Sequence, residues 1–195
     1  VVVHAEAFTP EFLEIFLASL YDHQVKTEQF PMNQVHNKAI FEQRGFAAVA
    51  HTFPEFREAS RWMELALERT CDNLLAQTTS DGVQREWSGG YHSGVLRDSV
   101  EIMGWAQERG LAVPEAMRER IRRMFDYIFA MATPELGYPM FGDCGRDIDV
   151  GTDRSRWQLY GMLAQGTALF GDPKYAGRAR LDLEALPAPT SYAFQ

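Results

Sequence analysis

Two short stretches concentrate the side chains able to hold a carboxylate and move protons. The first reads Asn33-Gln34-Val35-His36-Asn37-Lys38, and the second runs from Asp81-Gly82 through Glu86-Trp87-Ser88 to Tyr91-His92. Asparagine, histidine and lysine can neutralise a bound anion; tyrosine and histidine can act as acid or base. Each stretch stands just ahead of a predicted helix, where free backbone N–H groups favour a negative ligand. Every one of these residues also has a plainer reading. Asn37 can simply cap a helix. Tyr91 can be a buried aromatic whose hydroxyl meets a backbone carbonyl, and His92 a packed, satisfied histidine. Glu86 and Ser88 can shape the loop, and Trp87 can cover the core. Arg97 can touch a carboxylate or pair with Glu101 at i, i+4.

The elements that must position these residues are helices. Thr9-Pro10-Glu11 is a helix start, with a hydroxyl cap, a proline at the first position and then an acid. A second helix is predicted from about Asn37 to His51, with Ile40, Phe41, Ala48 and Val49 on its buried side and Gly45 marking close packing. A third is predicted from Thr52-Phe53-Pro54-Glu55 to about Gln77, packed through Phe56, Trp62, Met63, Ala66, Leu67 and Leu74. Ser80-Asp81-Gly82 ends it in a turn, and Val83 to Gly90 reads as an extended loop. A fourth helix follows from about Tyr91 to Arg109. The fifth starts at Val113-Pro114-Glu115, with Met117, Ile121, Met124, Phe125, Ile128 and Phe129 as its apolar stripe. A Gly- and Asp-rich loop spans Gly137 to Asp153, and helices are predicted at Ser155–Leu169 and after Asp172-Pro173. Strand-type alternation is nearly absent. Long helices joined by short Pro- and Gly-marked turns give an all-α fold, either a bundle or a curved array of antiparallel hairpins.

Composition narrows the function. The chain has 195 residues, 46% of them hydrophobic and 24% charged, enough for a core without staples. Its net charge of −8 opposes nucleic acid as a partner. Arg118, Arg120, Arg122 and Arg123 alternate with acids and read as a solvated helix face. No apolar run is long enough to span a membrane. Two cysteines, Cys71 and Cys144, cannot build a disulfide scaffold or a four-cysteine zinc site. Asp143, Asp147, Asp149 and Asp153 share one loop, but the EF-hand pattern is absent, so calcium is a minor reading. The eight methionines fall at core spacing.

The ordered set Asn37, Gly45, Ala50, Phe53-Pro54-Glu55, Asp81-Gly82, Glu86-x-Ser88 and Tyr91-His92 resembles the heparinase II/III and alginate lyase group of polysaccharide lyases. Gly137-Tyr138-Pro139-x-Phe141-Gly142-Asp143 is similar to a loop of the same group. The resemblance implies antiparallel helix hairpins forming part of an N-terminal (α/α) toroid over residues 1–186. It implies that 187–195 is a linker toward a β-sandwich domain lying outside this chain. It further implies β-elimination on a uronic-acid polysaccharide, with no cofactor and no metal. Elimination requires the uronate carboxylate to be neutralised so that charge developing after loss of the C5 proton is stabilised. It also requires a base at C5 and an acid for the departing O4.

By that resemblance Asn37 holds the carboxylate and Tyr91 is acid or base. The group's asparagine-histidine order is inverted here, so His36, or Lys38 as a cation, takes the histidine's part. His92, Lys38, Trp87, Glu86 and Arg97 are the expected substrate contacts. The implied location is periplasmic or secreted, and the implied partners are an anionic polysaccharide and the missing domain. Apolar helix faces left uncovered would favour self-association, and the chain alone is expected to have weak activity or none. Two competing functions remain open. A toroid glycoside hydrolase needs two facing carboxyl groups, for which Glu86 and Asp143 are the pair available. A non-catalytic saccharide-binding module needs neither.

Overall fold

The computed structural model describes residues 8–140, 142–144 and 159–179, and among these all regular structure is helical. The helices are α1 (Pro10–Gln29), α2 (Asn37–Thr52), α3 (Ala59–Gln77), α4 (Gly89–Glu108), α5 (Glu115–Met131), α6 (Tyr160–Phe170) and α7 (Pro173–Ala179). Asp147, Asp149 and Asp153, residues 155–158 and the predicted linker lie outside the described residues.

Consecutive helices form antiparallel hairpins. Helices two apart also touch: α2 with α4, α3 with α5, and α5 with α7. The chain therefore builds two layers of helices, the arrangement of an (α/α) toroid segment. The core runs between the layers through Ile40, Phe46, Trp62, Met63, Leu96 and Phe125, all essentially inaccessible to water. Full burial of one such side chain is worth about 1.5–3 kcal/mol. Helix α5 shows the pattern most clearly. Met117, Ile121, Met124, Phe125 and Ile128 point inward at spacings of three and four. Its arginines do more than solvate a face: Arg120 donates to the carbonyl of Thr78, Arg123 to that of Ser80, and Arg122 to Asp172.

Several expectations need correction. On α2 the buried residues are Ala39, Ile40, Gln43, Phe46, Ala47 and Ala50, whereas Phe41 is exposed and Ala48 and Val49 are half-buried. The helix packs against both α3 and α4, so its inward face is wider and rotated from the predicted one. Gly45 is exposed, and nothing lies near the place a Cβ would occupy. Helix α3 begins at Ala59, because Phe53–Glu58 is spent on turns that reverse the chain. Helix α4 begins at Gly89, two residues ahead of the predicted start. Cys71 is a buried thiol in the core cluster. No helix among the described residues is long and apolar enough to cross a membrane.

Candidate functional site

The two stretches meet at the N-terminal ends of α2 and α4, and Glu86 joins them. Its Oε1 accepts from the backbone N–H of Asn37 at 3.0 Å, and its Oε2 accepts from Asn37 Nδ2 at 3.1 Å. Asn37 is the first helical residue of α2, not its cap. The cap position belongs to His36, whose side chain makes no capping bond. The local sequence thus leaves the helix end open, and a carboxylate from a distant segment closes it. The Gln77 side-chain amide, from the end of α3, donates to the carbonyls of Gln34 and His36 and fixes the approach to α2. Asn37 is 7% exposed. His36 and Lys38 are both exposed, and neither side chain has a hydrogen-bond or ion-pair partner among the described residues. Asn37 is therefore flanked by two uncommitted basic side chains.

Helix α4 is closed differently. Ser88 is its cap, and its Oγ accepts from the backbone N–H of Tyr91 at 3.4 Å. The Ser88 hydroxyl in turn donates to the carbonyl of Asp143 at 2.5 Å. The Tyr91 hydroxyl donates to Asp143 Oδ2 at 2.6 Å. That hydrogen bond, then the charge of Asp143, then partial burial and the charge of Glu86, all raise the Tyr91 pKa above its ordinary value. Tyr91 and Asn37 thus share Glu86 as a neighbour.

Tyr91 and His92 are adjacent in sequence and opposite in environment. His92 is 1% exposed. Its Nδ1 accepts from the backbone N–H of Gln84 at 3.4 Å, so Nε2 carries the proton that meets the carbonyl of Met124 at 3.1 Å. Its ring lies 4.8 Å from that of Tyr127, and burial pushes its pKa down to about 4. The expectation that His92 contacts substrate is corrected: it is a neutral strut joining the 84–88 segment, α4 and α5. Glu86 is exposed, and both of its oxygens accept from Asn37, which makes it a support for that residue.

Trp87 is 59% exposed and has φ +54°, a left-handed conformation that a bulky residue seldom adopts. It presents an indole at the surface, one residue ahead of the Ser88 cap of α4. Arg97 does not pair with Glu101, which Arg44 takes instead. The Arg97 Nε donates to Asp98 at 3.0 Å, and the residue lines a cavity of about 410 Å³ between α4 and α6. Gly90, Ser93, Gly94 and Tyr138 line it on the α4 side. Glu86 and Asp143 do not stand as two free carboxyl groups across a gap. One holds an amide and the other a phenol, so each carboxylate is engaged with its own partner. No group of metal-ligating side chains occurs among the described residues. The role of Asp143 was missed in the sequence because its partner lies 52 positions away.

Helical hairpins packed in two layers, with an amide, a phenol and basic groups at the starts of α2 and α4, make a segment of an (α/α) toroid. The chain belongs to the Heparinase II/III N-terminus family, whose model matches residues 1–160. It is similar to the heparin-sulfate lyase of Pedobacter heparinus, 28% identical over 143 residues, covering 72% of this chain and 22% of that protein. The heparin-sulfate lyase of Bacteroides thetaiotaomicron is 27% identical over 145 residues, covering 70% of this chain and 21% of that protein. The chain thus spans about a fifth of the length of the curated relatives it matches. In fold it is similar to the crystal structure of heparinase III, with a TM-score of 0.75 and 24% identity over 87% of this chain and 26% of the other. It is also similar to the heparan sulfate lyase of Pedobacter heparinus, with a TM-score of 0.67 and 24% identity, covering 91% of this chain and 27% of that one.

Proposed function

We propose that this chain is the helical part of a polysaccharide lyase that cleaves a heparan-sulfate-type, uronic-acid-containing polymer by β-elimination. The observation that carries the reading is the clasp of Glu86 on Asn37. It holds a buried, oriented amide between two exposed basic side chains, and the charge of the same Glu86 is felt at Tyr91.

Asn37 neutralises the uronate carboxylate with the Nδ2 hydrogen that Glu86 leaves free. His36 or Lys38 adds positive charge at the same carboxylate, and the α2 N-terminus contributes its partial charge. Neutralisation lowers the cost of removing the C5 proton, because the electron pair left behind is delocalised into a carboxylate already held by donors. Tyr91 moves the second proton of the reaction. Trp87 offers a face to a sugar ring, and Arg97 reaches a charged group further along the polymer. The remaining length of the relatives makes room for a second domain that closes the cleft and supplies the group missing here, so the chain alone is weakly active or inactive. A polymeric substrate argues for a periplasmic or secreted enzyme.

The test is the ultraviolet absorbance of the unsaturated uronate product, followed with the full-length polypeptide on heparan sulfate, heparin and alginate. Absorbance is expected to rise on the first of these. Tyr91→Phe is expected to lower the rate about 10³-fold and Asn37→Ala about 10²-fold. New reducing ends without absorbance would mean hydrolysis and would overturn the reading.

A further inference from the structure

Tyr91 meets a residue that no part of the reading above uses. Asp143 arrives on the connection between α5 and α6, and that connection is docked on the start of α4 by several independent contacts. The Ser88 hydroxyl donates to the Asp143 carbonyl. Gly142, at φ +66°, lies so close to the backbone carbonyl of Trp87 that a side chain there would collide with it. The ring of Tyr138 covers Gly89, where a Cβ would come within 2.5 Å of it. Three neighbours in sequence, Trp87, Ser88 and Gly89, thus receive the loop. The docked loop then presents the Asp143 carboxylate to the Tyr91 hydroxyl at 2.6 Å.

We propose that Asp143 is a positioning residue that holds the Tyr91 hydroxyl by its proton and so commits Tyr91 to the acid half of the elimination, protonating the departing O4, and not to the base half at C5. This rests on the reading of the site as a lyase. A base at C5 would have to be the phenolate. Among the described residues Asp143 and Glu86 are the charged groups that act on the phenol, from the loop and from the segment before α4, and both oppose a negative charge on it. No cation among the described residues offsets them. A phenol held above its ordinary range stays protonated at neutral pH, which is the form an acid requires. The step balances. A base elsewhere takes the C5 proton, and that electron pair forms the C4–C5 double bond. The C4–O4 bond breaks, O4 receives the phenol proton, and water returns a proton to the tyrosinate.

The experiment compares Asp143→Asn and Asp143→Glu in the full-length enzyme, reading both the pH–rate profile of elimination and the titration of Tyr91. The latter is followed by NMR of ring-labelled tyrosine, with the resonance assigned by its absence in Tyr91→Phe. Asp143→Asn is expected to move the alkaline limb and the phenol titration to lower pH by about one unit, as loss of a neighbouring like charge does. It should lower kcat more than it changes KM. Asp143→Glu, which keeps the charge, should stay near wild type. An unmoved phenol titration in Asp143→Asn, with only stability lost, would make Asp143 a loop latch and overturn the proposal. So would a wild-type Tyr91 that titrates at or below about 10, a measurement that needs neither variant to fold. Full elimination activity in Tyr91→Phe would instead sink the reading of the site, while leaving the titration of Tyr91 to report on Asp143 by itself.

Discussion

The starts of α2 and α4 are the two halves of the candidate site, and they are built in opposite ways. Helix α4 carries its own cap: Ser88 stands at the position from which a hydroxyl reaches the third residue on. Distant contacts then reinforce that end, with Asp143 outside and His92 inside. Helix α2 has no local cap, and Glu86 supplies one from 49 positions away. The difference separates the two kinds of order. The α4 end folds by local rules and is then aimed by its surroundings. The α2 end exists as a defined site only once α4's approach segment has docked. Asn37 is therefore oriented by the assembled fold, and anything that loosens the 84–88 segment should reach it.

Breaking the inner anchor of α4 should have the largest effect. His92→Ala removes a fully buried ring and takes away the acceptor of the Gln84 backbone N–H, with an expected loss of about 3 kcal/mol in denaturant unfolding. The same residue sets a pH dependence. Burial depresses its pKa in the folded state from the ordinary 6.5 to about 4. The unfolded chain therefore binds a proton that the folded chain refuses. Stability is fully present above about pH 6.5 and is lost as pH falls through 4, by about 3 kcal/mol in all. His92→Gln should flatten that slope, and an unchanged slope would place the acid sensitivity elsewhere.

Glu86→Ala tests the contrast directly. It should cost about 2 kcal/mol, less than His92→Ala, yet hydrogen exchange should quicken first in the opening turn of α2 and not in α4. Equal quickening at both ends would show that α2's start is not specially dependent on Glu86. Ser88→Ala should cost about 1 kcal/mol and quicken exchange more in the first turn of α4 than at Asn37. The smallest effect belongs to Lys38→Ala, within about 0.5 kcal/mol of wild type in stability. Any loss there should appear in KM for the anionic substrate, and its absence would leave His36 as the basic partner of Asn37.

Much of this was legible in advance where the cause is local. Thr9-Pro10 starts α1 as read, and the Thr9 hydroxyl accepts from the backbone N–H of Phe12 at 3.3 Å. The apolar stripe of α5 is buried as its spacing predicts, because a helix with one such stripe has only one way to face a core. The buried face of α2 was misread for the complementary reason. A helix between two neighbours buries more than one stripe, and small residues such as Ala47 and Ala50 are chosen by how closely those neighbours approach. The position of α3's start failed similarly. A threonine before proline is a local signal for a helix, but the hairpin needed those residues for its turn.

By itself, then, the sequence determined the helices, their order and the two segments in which polar chemistry is concentrated, since propensity, capping and periodicity act within a few residues. Only the tertiary structure decided which side chain does what there. Tyr91 and His92 differ in sequence by a single position, yet one faces a carboxylate at the surface and the other is sealed in the core. Glu86 and Asp143 look like a reacting pair until each is seen bound to its own partner. Those assignments depend on which distant segments pack together, and packing is a property of the whole chain that no local window contains.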